Sequence, residues 1–381
     1  MRVQVMVAAV LLVALAGCAS ERLLPSGSEL PWHDLAFAYD GGLVSETMQD
    51  LFRIDPDLAQ ELNSPAVQAL SPPRRLERLL ALLYGGEMKP FPYAAGHSTV
   101  AAVTWHQGRG DCLSLTVLAY AMARELKMNV QMQDVKVPLL FDRRDGVDFA
   151  NEHVNLLVRE SGVSVWTSGR LDAKDMIVDF EPQLGANREG KALSDEAILA
   201  RFYNNRGAEY LVDDRRALAY AYLKAAILVN PAYPSAYTNL AKLYLNAGLT
   251  DDAEYLLRHA IVLSKQALVP LSALHRLLLA QGREAQALEI ARLLQSQRER
   301  DPYYWIGLGL GHLNQGRTRQ AIDALEEARQ LTSGFDEVHR HLAAAYAMVG
   351  EPARAQEQRI LLAKLADGSG FMGARKKKFG Q

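Results

Sequence analysis

Four glycines, Gly248, Gly282, Gly316 and Gly350, stand 34 residues apart, and five alanines, Ala219, Ala253, Ala287, Ala321 and Ala355, keep the same step. A fixed period of this length means that one supersecondary unit is copied along the chain. Each copy can bury its apolar face only against its neighbours, so the copies stack into a solenoid. The small alanine lets two helices of a unit cross closely, and the glycine ends the first helix by taking a left-handed backbone. The spacing predicts five helix pairs over residues 200–368.

The remaining positions fall into the same phase. Tyr203, Gly207, Tyr210, Ala226 and Pro231 fit the first unit; Tyr237, Leu240, Ala241, Tyr244 and Ala260 the second; Trp305, Leu308, Gly309 and Ala328 the fourth; Leu342, Ala343 and Tyr346 the fifth. The third is degenerate, with Leu271, Leu274 and His275. On these residues the array resembles the tetratricopeptide repeat. The resemblance implies a groove that binds a protein partner or a peptide segment. The aromatic residues at repeat positions are expected in the core.

The start of the chain carries an address. Arg2 precedes a nearly all-apolar stretch from Val3 to Ala16, too short to span a bilayer as a mature helix. Leu15-Ala16-Gly17-Cys18 then resembles the bacterial lipobox. The resemblance implies residues 1–17 as a signal peptide, diacylglycerol on the Cys18 sulfur and a membrane anchor there. Ala19 rather than Asp after it implies the outer membrane, facing the periplasm. The alternative is an ordinary secretory signal with a chance cysteine. Residues 18–32, with Pro25, Gly27 and Pro31, are expected to form a tether. The 42 basic and 44 acidic residues leave a net charge of −2, which gives no field for nucleic acid. Arg375-Lys376-Lys377-Lys378 lies in a basic tail, residues 369–381. No cofactor motif is present, and one further cysteine with scattered histidines gives no metal-ligand spacing.

That further cysteine is Cys112. With Cys18 acylated, an internal disulfide is excluded. A retained thiol is either a buried core residue or a reactive group, and its surroundings favour the second. Thr99–Gln107 reads as a helix ended by Gly108, and Cys112–Leu126 as a second, apolar helix with Asp111 as its N-cap. Cys112 then sits in the first turn, where the positive end of the helix favours a thiolate. Strand-like runs follow at 130–137, 153–158, 163–167 and 176–182, an α+β pattern. Upstream, Leu43–Phe52, Asp57–Leu62 and Pro73–Leu83 read as helices.

Gly110 and Cys112 at a helix start, His153 opening Val154-Asn155-Leu156, and Val178-Asp179 before Phe180 resemble the transglutaminase-like branch of the papain-like cysteine enzymes. The resemblance covers under a quarter of the chain and implies an α+β papain-like domain over residues 33–195. It implies Cys112 as nucleophile, His153 as its proton acceptor and donor, and Asp179 as the residue that orients the imidazole. Glu152 and Asp175 are the other carboxylates that could orient it. Gln107 is a candidate oxyanion donor, and an ordinary helix-terminal residue otherwise. His97 and His106 read as surface residues, Trp105 and Trp166 as packing or as walls of a cleft.

The expected function is a cysteine acyl-transfer enzyme that cleaves a peptide or isopeptide bond of a protein substrate, with hydrolysis favoured over cross-linking because water is always at hand. The second expectation is a non-catalytic envelope adaptor that works through the repeats. A tether between outer membrane and cell wall is the third.

Overall fold

The computed structural model describes residues 30–84, 91, 94, 96–135, 141–144, 147–150, 152–159, 164–167, 170–173, 175–180, 190–265, 267–331 and 336–368. The signal peptide, Cys18, most of the expected tether and the basic tail lie outside them.

The N-terminal lobe is built around one helix. A 3-10 turn (Gly41–Leu43) and helices α1 (Met48–Phe52), α2 (Pro56–Leu62), α3 (Pro65–Gln68) and α4 (Pro72–Tyr84) lead to α5 (Ala101–Gln107) and α6 (Cys112–Glu125). The helix expected over 43–52 is therefore two short elements. Val44 is extended, and Thr47 with Asp50 makes a fresh capping box that starts α1. On α4, Leu76, Leu79 and Leu83 recur at helical spacing and are buried. Every residue of α6 from Cys112 to Ala123 except Tyr120 is buried. A helix apolar on all sides must be covered on all sides, and α6 packs against α2, α4, α5 and the sheet.

The main sheet is antiparallel, in the order β7-β4-β1-β8: β1 (Val130–Val135), β4 (His153–Val158), β7 (Met176–Val178) and β8 (Lys191–Ala192). Two hairpins are not part of it: β2 (Phe141–Arg144) with β3 (Val147–Ala150), neither of them among the expected strands, and β5 (Ser164–Thr167), the strand expected over 163–167, with the unexpected β6 (Arg170–Ala173). The chain turns at the end of α6, where Lys127 has φ +54°, and β1 runs back beside the helix. The fourteen residues of α6 rise about 21 Å and the six of β1 about 20 Å. The end of β1, Val135, thus returns towards the start of α6, and its register partner there is His153.

Five antiparallel helix pairs follow: α7 (Asp195–Val212) with α8 (Arg216–Val229), α9 (Pro234–Asn246) with α10 (Thr250–Leu263), α11 (Leu268–Ala280) with α12 (Glu284–Glu299), α13 (Pro302–Asn314) with α14 (Thr318–Leu331), and α15 (Asp336–Met348) with α16 (Pro352–Gly368). This is a helical-repeat solenoid. It begins at Asp195, under a Ser194 cap, slightly earlier than the periodicity alone suggests. All five repeat alanines are buried. The four repeat glycines have φ between +70° and +78°, and in the first unit Asp214 takes that place at φ +53°. Asp tolerates the left-handed region better than most side chains, which is why that unit closes without its glycine. Gly207 serves a different need: a Cβ there would lie 2.7 Å from Leu223 Cγ and 3.2 Å from its backbone nitrogen.

The lobe and the first three repeat units share one hydrophobic core, while units four and five form a second. The expected tether gives way at Leu30 and Trp32, which pack against that first core. Asp34 reaches Lys224 Nζ at 2.6 Å, and Phe37 stacks on Tyr220 and Tyr244 at ring distances of 4.7 and 5.7 Å.

Candidate active site

Cys112 is the first residue of α6, and the turn before it is tightly held. Asp111 caps the helix, its Oδ1 accepting from the Ser114 backbone N–H at 2.7 Å and the Ser114 hydroxyl at 2.6 Å. Its Oδ2 accepts from the Ser98 hydroxyl. Gly110 is required by space, since a Cβ would meet Ser114 Cβ at 3.0 Å and Thr104 Cγ2 at 3.2 Å. The Cys112 carbonyl accepts from Thr116 Oγ1 at 2.6 Å. Cys112 is 9 % exposed.

His153 opens β4 and is fully buried. Its Nε2 lies 2.7 Å from Asp179 Oδ2. Its Nδ1, also buried, has no hydrogen-bond partner among the described residues. One ring nitrogen is thus committed to a carboxylate, which fixes the imidazole's orientation, and the other is available to a reacting group. Asp179 follows β7, one step beyond the Leu156–Val178 pair of the register. That step sets it beside Asn155, whose Nδ2 is 3.3 Å from Asp179 Oδ2. Gln133 on β1 donates in turn to Asn155 Oδ1 at 2.8 Å and accepts from Gly190 N at 2.9 Å. Tyr84 donates to the Asp179 carbonyl at 3.0 Å and stacks on Phe180, with ring centroids 5.5 Å apart. Burial, and then the Asp179 charge, push the Tyr84 phenol well above its ordinary range.

Asn155 and Gln133 were not singled out from the sequence. The signal was there: polar residues two apart on a strand, His153 and Asn155, share one face, and a buried amide on that face needs partners.

The other carboxylates have other partners. Glu152 accepts from Tyr233 Oη at 2.5 Å and from the Ser235 hydroxyl, both in the repeats. Asp175 pairs with Arg159 at 3.2 Å on the surface. Gln107 is exposed at the end of α5. His106 is exposed and meets Asp55 at 2.8 Å. His97 is exposed too, with Nδ1 3.9 Å from Glu209. Trp105 packs on Phe91, ring centroids 5.8 Å apart. Trp166 lies on β5.

The helix that carries Cys112 also meets the repeats electrostatically. Glu209, on α7, accepts from the Ser98 backbone N–H at 2.7 Å and from Arg206 Nη1 at 2.6 Å. Burial pushes it up to about 7, with the Asp111 charge adding to the rise and the Ser98 N–H and Arg206 opposing it.

No family model matches the chain, and no curated protein matches it. Among solved structures, the MamA protein is 17% identical, over 46% of this chain and 98% of that one, at a TM-score of 0.25. PilF of Pseudomonas aeruginosa is 20% identical, over 48% of this chain and 81% of that one, at 0.27. A chain of the APC/C hetero-tetramer Cut9–Hcn1 is 19% identical, over 44% of this chain and 33% of that one, at 0.25. At these values the solenoid stands on this chain's own helix pairs.

Proposed function

We propose that the chain is an envelope-anchored cysteine acyl-transfer enzyme with a transglutaminase-like catalytic lobe. The observation that carries this reading is the buried His153–Asp179 bond at the end of the sheet that returns to the start of α6, with Nδ1 left for a reacting partner. In the reaction, His153 takes the Cys112 proton and the thiolate attacks a peptide or isopeptide carbonyl. The imidazolium then gives the proton to the departing amine. Water, activated by the same imidazole, breaks the thioester and restores the thiol. The repeats present the protein substrate or a partner.

The test is alkylation of Cys112 by iodoacetamide across pH in the purified full chain. Rapid labelling at about pH 6 supports the enzyme. A thiol that labels only above about pH 8, or at no pH, overturns it and leaves the adaptor. The solenoid of five helix pairs favours that second reading independently, because stacked repeats create an extended surface suited to a partner protein.

The anchor is proposed at Cys18, with the protein held at the outer membrane on the periplasmic side. Among the described residues no helix is long and apolar enough to cross a membrane. Several acyl chains hold a protein stably where one holds it marginally. Cys18→Ala is expected to abolish incorporation of labelled fatty acid and to move the protein out of the membrane fraction. Undiminished incorporation in the variant sinks this anchor.

A further inference from the structure

Two carboxylates stand one residue before the proposed reactive pair, and the repeats grip both. Asp111, before Cys112, binds the Ser98 hydroxyl. That hydroxyl also accepts from Asn205 Nδ2 at 3.1 Å, and the Ser98 backbone N–H donates to Glu209 at 2.7 Å. Asn205 and Glu209 are one turn apart on α7. Glu152, before His153, binds the Tyr233 and Ser235 hydroxyls at the start of the second unit. Arg201 of α7 adds a hold on the same strands, with Nη2 2.8 Å from Asp134 Oδ2 and Nε 3.8 Å from Glu152. Arg201 also lies over the Tyr233 ring, 5.0 Å from its centroid.

These contacts are buried or half-buried, and they join elements far apart in sequence. Packing alone needs none of them: α6 and β4 already meet inside the lobe. What the polar contacts add is direction. A carboxylate held by two hydroxyls, as Glu152 is, or by two hydroxyls and a backbone N–H, as Asp111 is, fixes the residue that follows it.

We propose that the first two repeat units are the positioning frame of the site: Asn205 and Glu209 set the start of α6 through Ser98 and Asp111, and Tyr233, Ser235 and Arg201 set the start of β4 through Glu152. These are positioning residues, and the inference rests on the acyl-transfer reading for its chemical consequence. The sulfur and the imidazole belong to one lobe, yet the start of α6 is registered against unit one alone and the start of β4 against unit two as well, through Tyr233 and Ser235. A ligand that shifts unit two against unit one therefore alters thiol–imidazole alignment, which couples occupancy of the array to reactivity.

The test uses the full chain carrying Glu209→Gln, Tyr233→Phe or Ser235→Ala, with Ser235→Thr as the conservative control. Two readouts are taken, the pH profile of Cys112 alkylation and backbone hydrogen exchange at residues 111–115 and 153–156. The expected result is a labelling midpoint raised by about half a pH unit and a loss of less than about twofold in rate at pH 6, because a poorly aligned imidazole stabilises the thiolate less while the more basic thiolate is the better nucleophile. Exchange should quicken at 111–115 in Glu209→Gln and at 153–156 in the other two variants, and Ser235→Thr should match the wild type in both. Wild-type exchange and wild-type profiles in all three variants overturn the frame. Should the wild-type thiol itself show no labelling at pH 6 that depends on His153, the acyl-transfer reading fails by itself. Hydrogen exchange then still decides whether the repeats fix the two starts.

Discussion

His153→Ala moves the midpoint of Cys112 alkylation from below about pH 7 to near 8.5, the ordinary thiol range. The argument is one of charge. In the proposed pair the protonated imidazole stabilises the thiolate, and Asp179 stabilises that imidazolium through the 2.7 Å bond to Nε2. Removing the ring leaves the helix N-terminus as the remaining help, and the capping carboxylate of Asp111 partly offsets it. The rate at pH 6 changes less than the thiolate fraction does. A shift of about 2.5 units alters that fraction at pH 6 by roughly 150-fold, but a less basic thiolate is also a weaker nucleophile, by roughly a factor of three per unit. The net expected loss is about tenfold, which makes the midpoint the sharper readout. Stopped-flow labelling between pH 5 and 9 checks it. A midpoint unmoved by the substitution means that sulfur and ring do not interact, and the proposed chemistry goes with it.

The repeat array was the most legible part of the sequence because its signal is redundant. A buried alanine recurs in all five units and a left-handed glycine in four of them, so a degenerate third unit does not hide the pattern. Its Leu271 and Leu274 are buried as a repeat core requires. The start of α6 was legible for a local reason, since Gly-Asp-Cys before an apolar run states both the cap and the close approach. The hairpins were less so. Asp145-Gly146 between Arg144 and Val147, and Ser168-Gly169 between Thr167 and Arg170, are turn dipeptides. The run at 163–167 reads as a strand, but its partner Arg170–Ala173 and the runs Phe141–Arg144 and Val147–Ala150 are four residues long and interrupted by charge. The resemblance implies Asp179 over Glu152 and Asp175, but where each carboxylate goes needed three dimensions. It is set by the β4–β7 register and by the second repeat unit, which holds Glu152. Nothing in the sequence near residue 152 points to Tyr233. The docking of residues 30–39 on the repeats was hidden for the same reason, as Pro25, Gly27 and Pro31 read as a tether while their neighbours Trp32, His33 and Phe37 are interface residues.

That docked segment carries the largest expected effect on stability. Tyr220, fully buried on α8, is its hub. The ring stacks on Phe37 and meets Trp32 and Tyr39 edge-on at 6.5 and 5.8 Å. The hydroxyl donates to Asp34 Oδ1 at 2.7 Å and accepts from the His33 N–H at 2.9 Å. Burial, and then the bond to Asp34, push the phenol far above its ordinary range, so it stays a donor at any working pH. The Lys224 ammonium, hydrogen-bonded to Asp34, holds that carboxyl below the usual carboxylate range with help from Tyr220. Tyr220→Ala opens a cavity under three aromatic rings and strips the carboxylate of a donor, at an expected cost of about 3–5 kcal/mol. Tyr220→Phe keeps the stacking and loses only the hydroxyl, at about 1–2 kcal/mol. Because the lobe and the first three units share a core, the loss should appear in the first thermal transition and as chymotryptic cleavage after Phe37 or Tyr39. An unchanged first transition, with the segment still protected, would show that the aromatic contacts contribute little. The consequence reaches the proposed anchor. Cys18 lies twelve residues before Leu30, a span of at most about 40 Å. With that anchor in place, a segment fixed to units one and two would hold those units close to the membrane, whereas in Tyr220→Ala the lobe would hang on a longer leash.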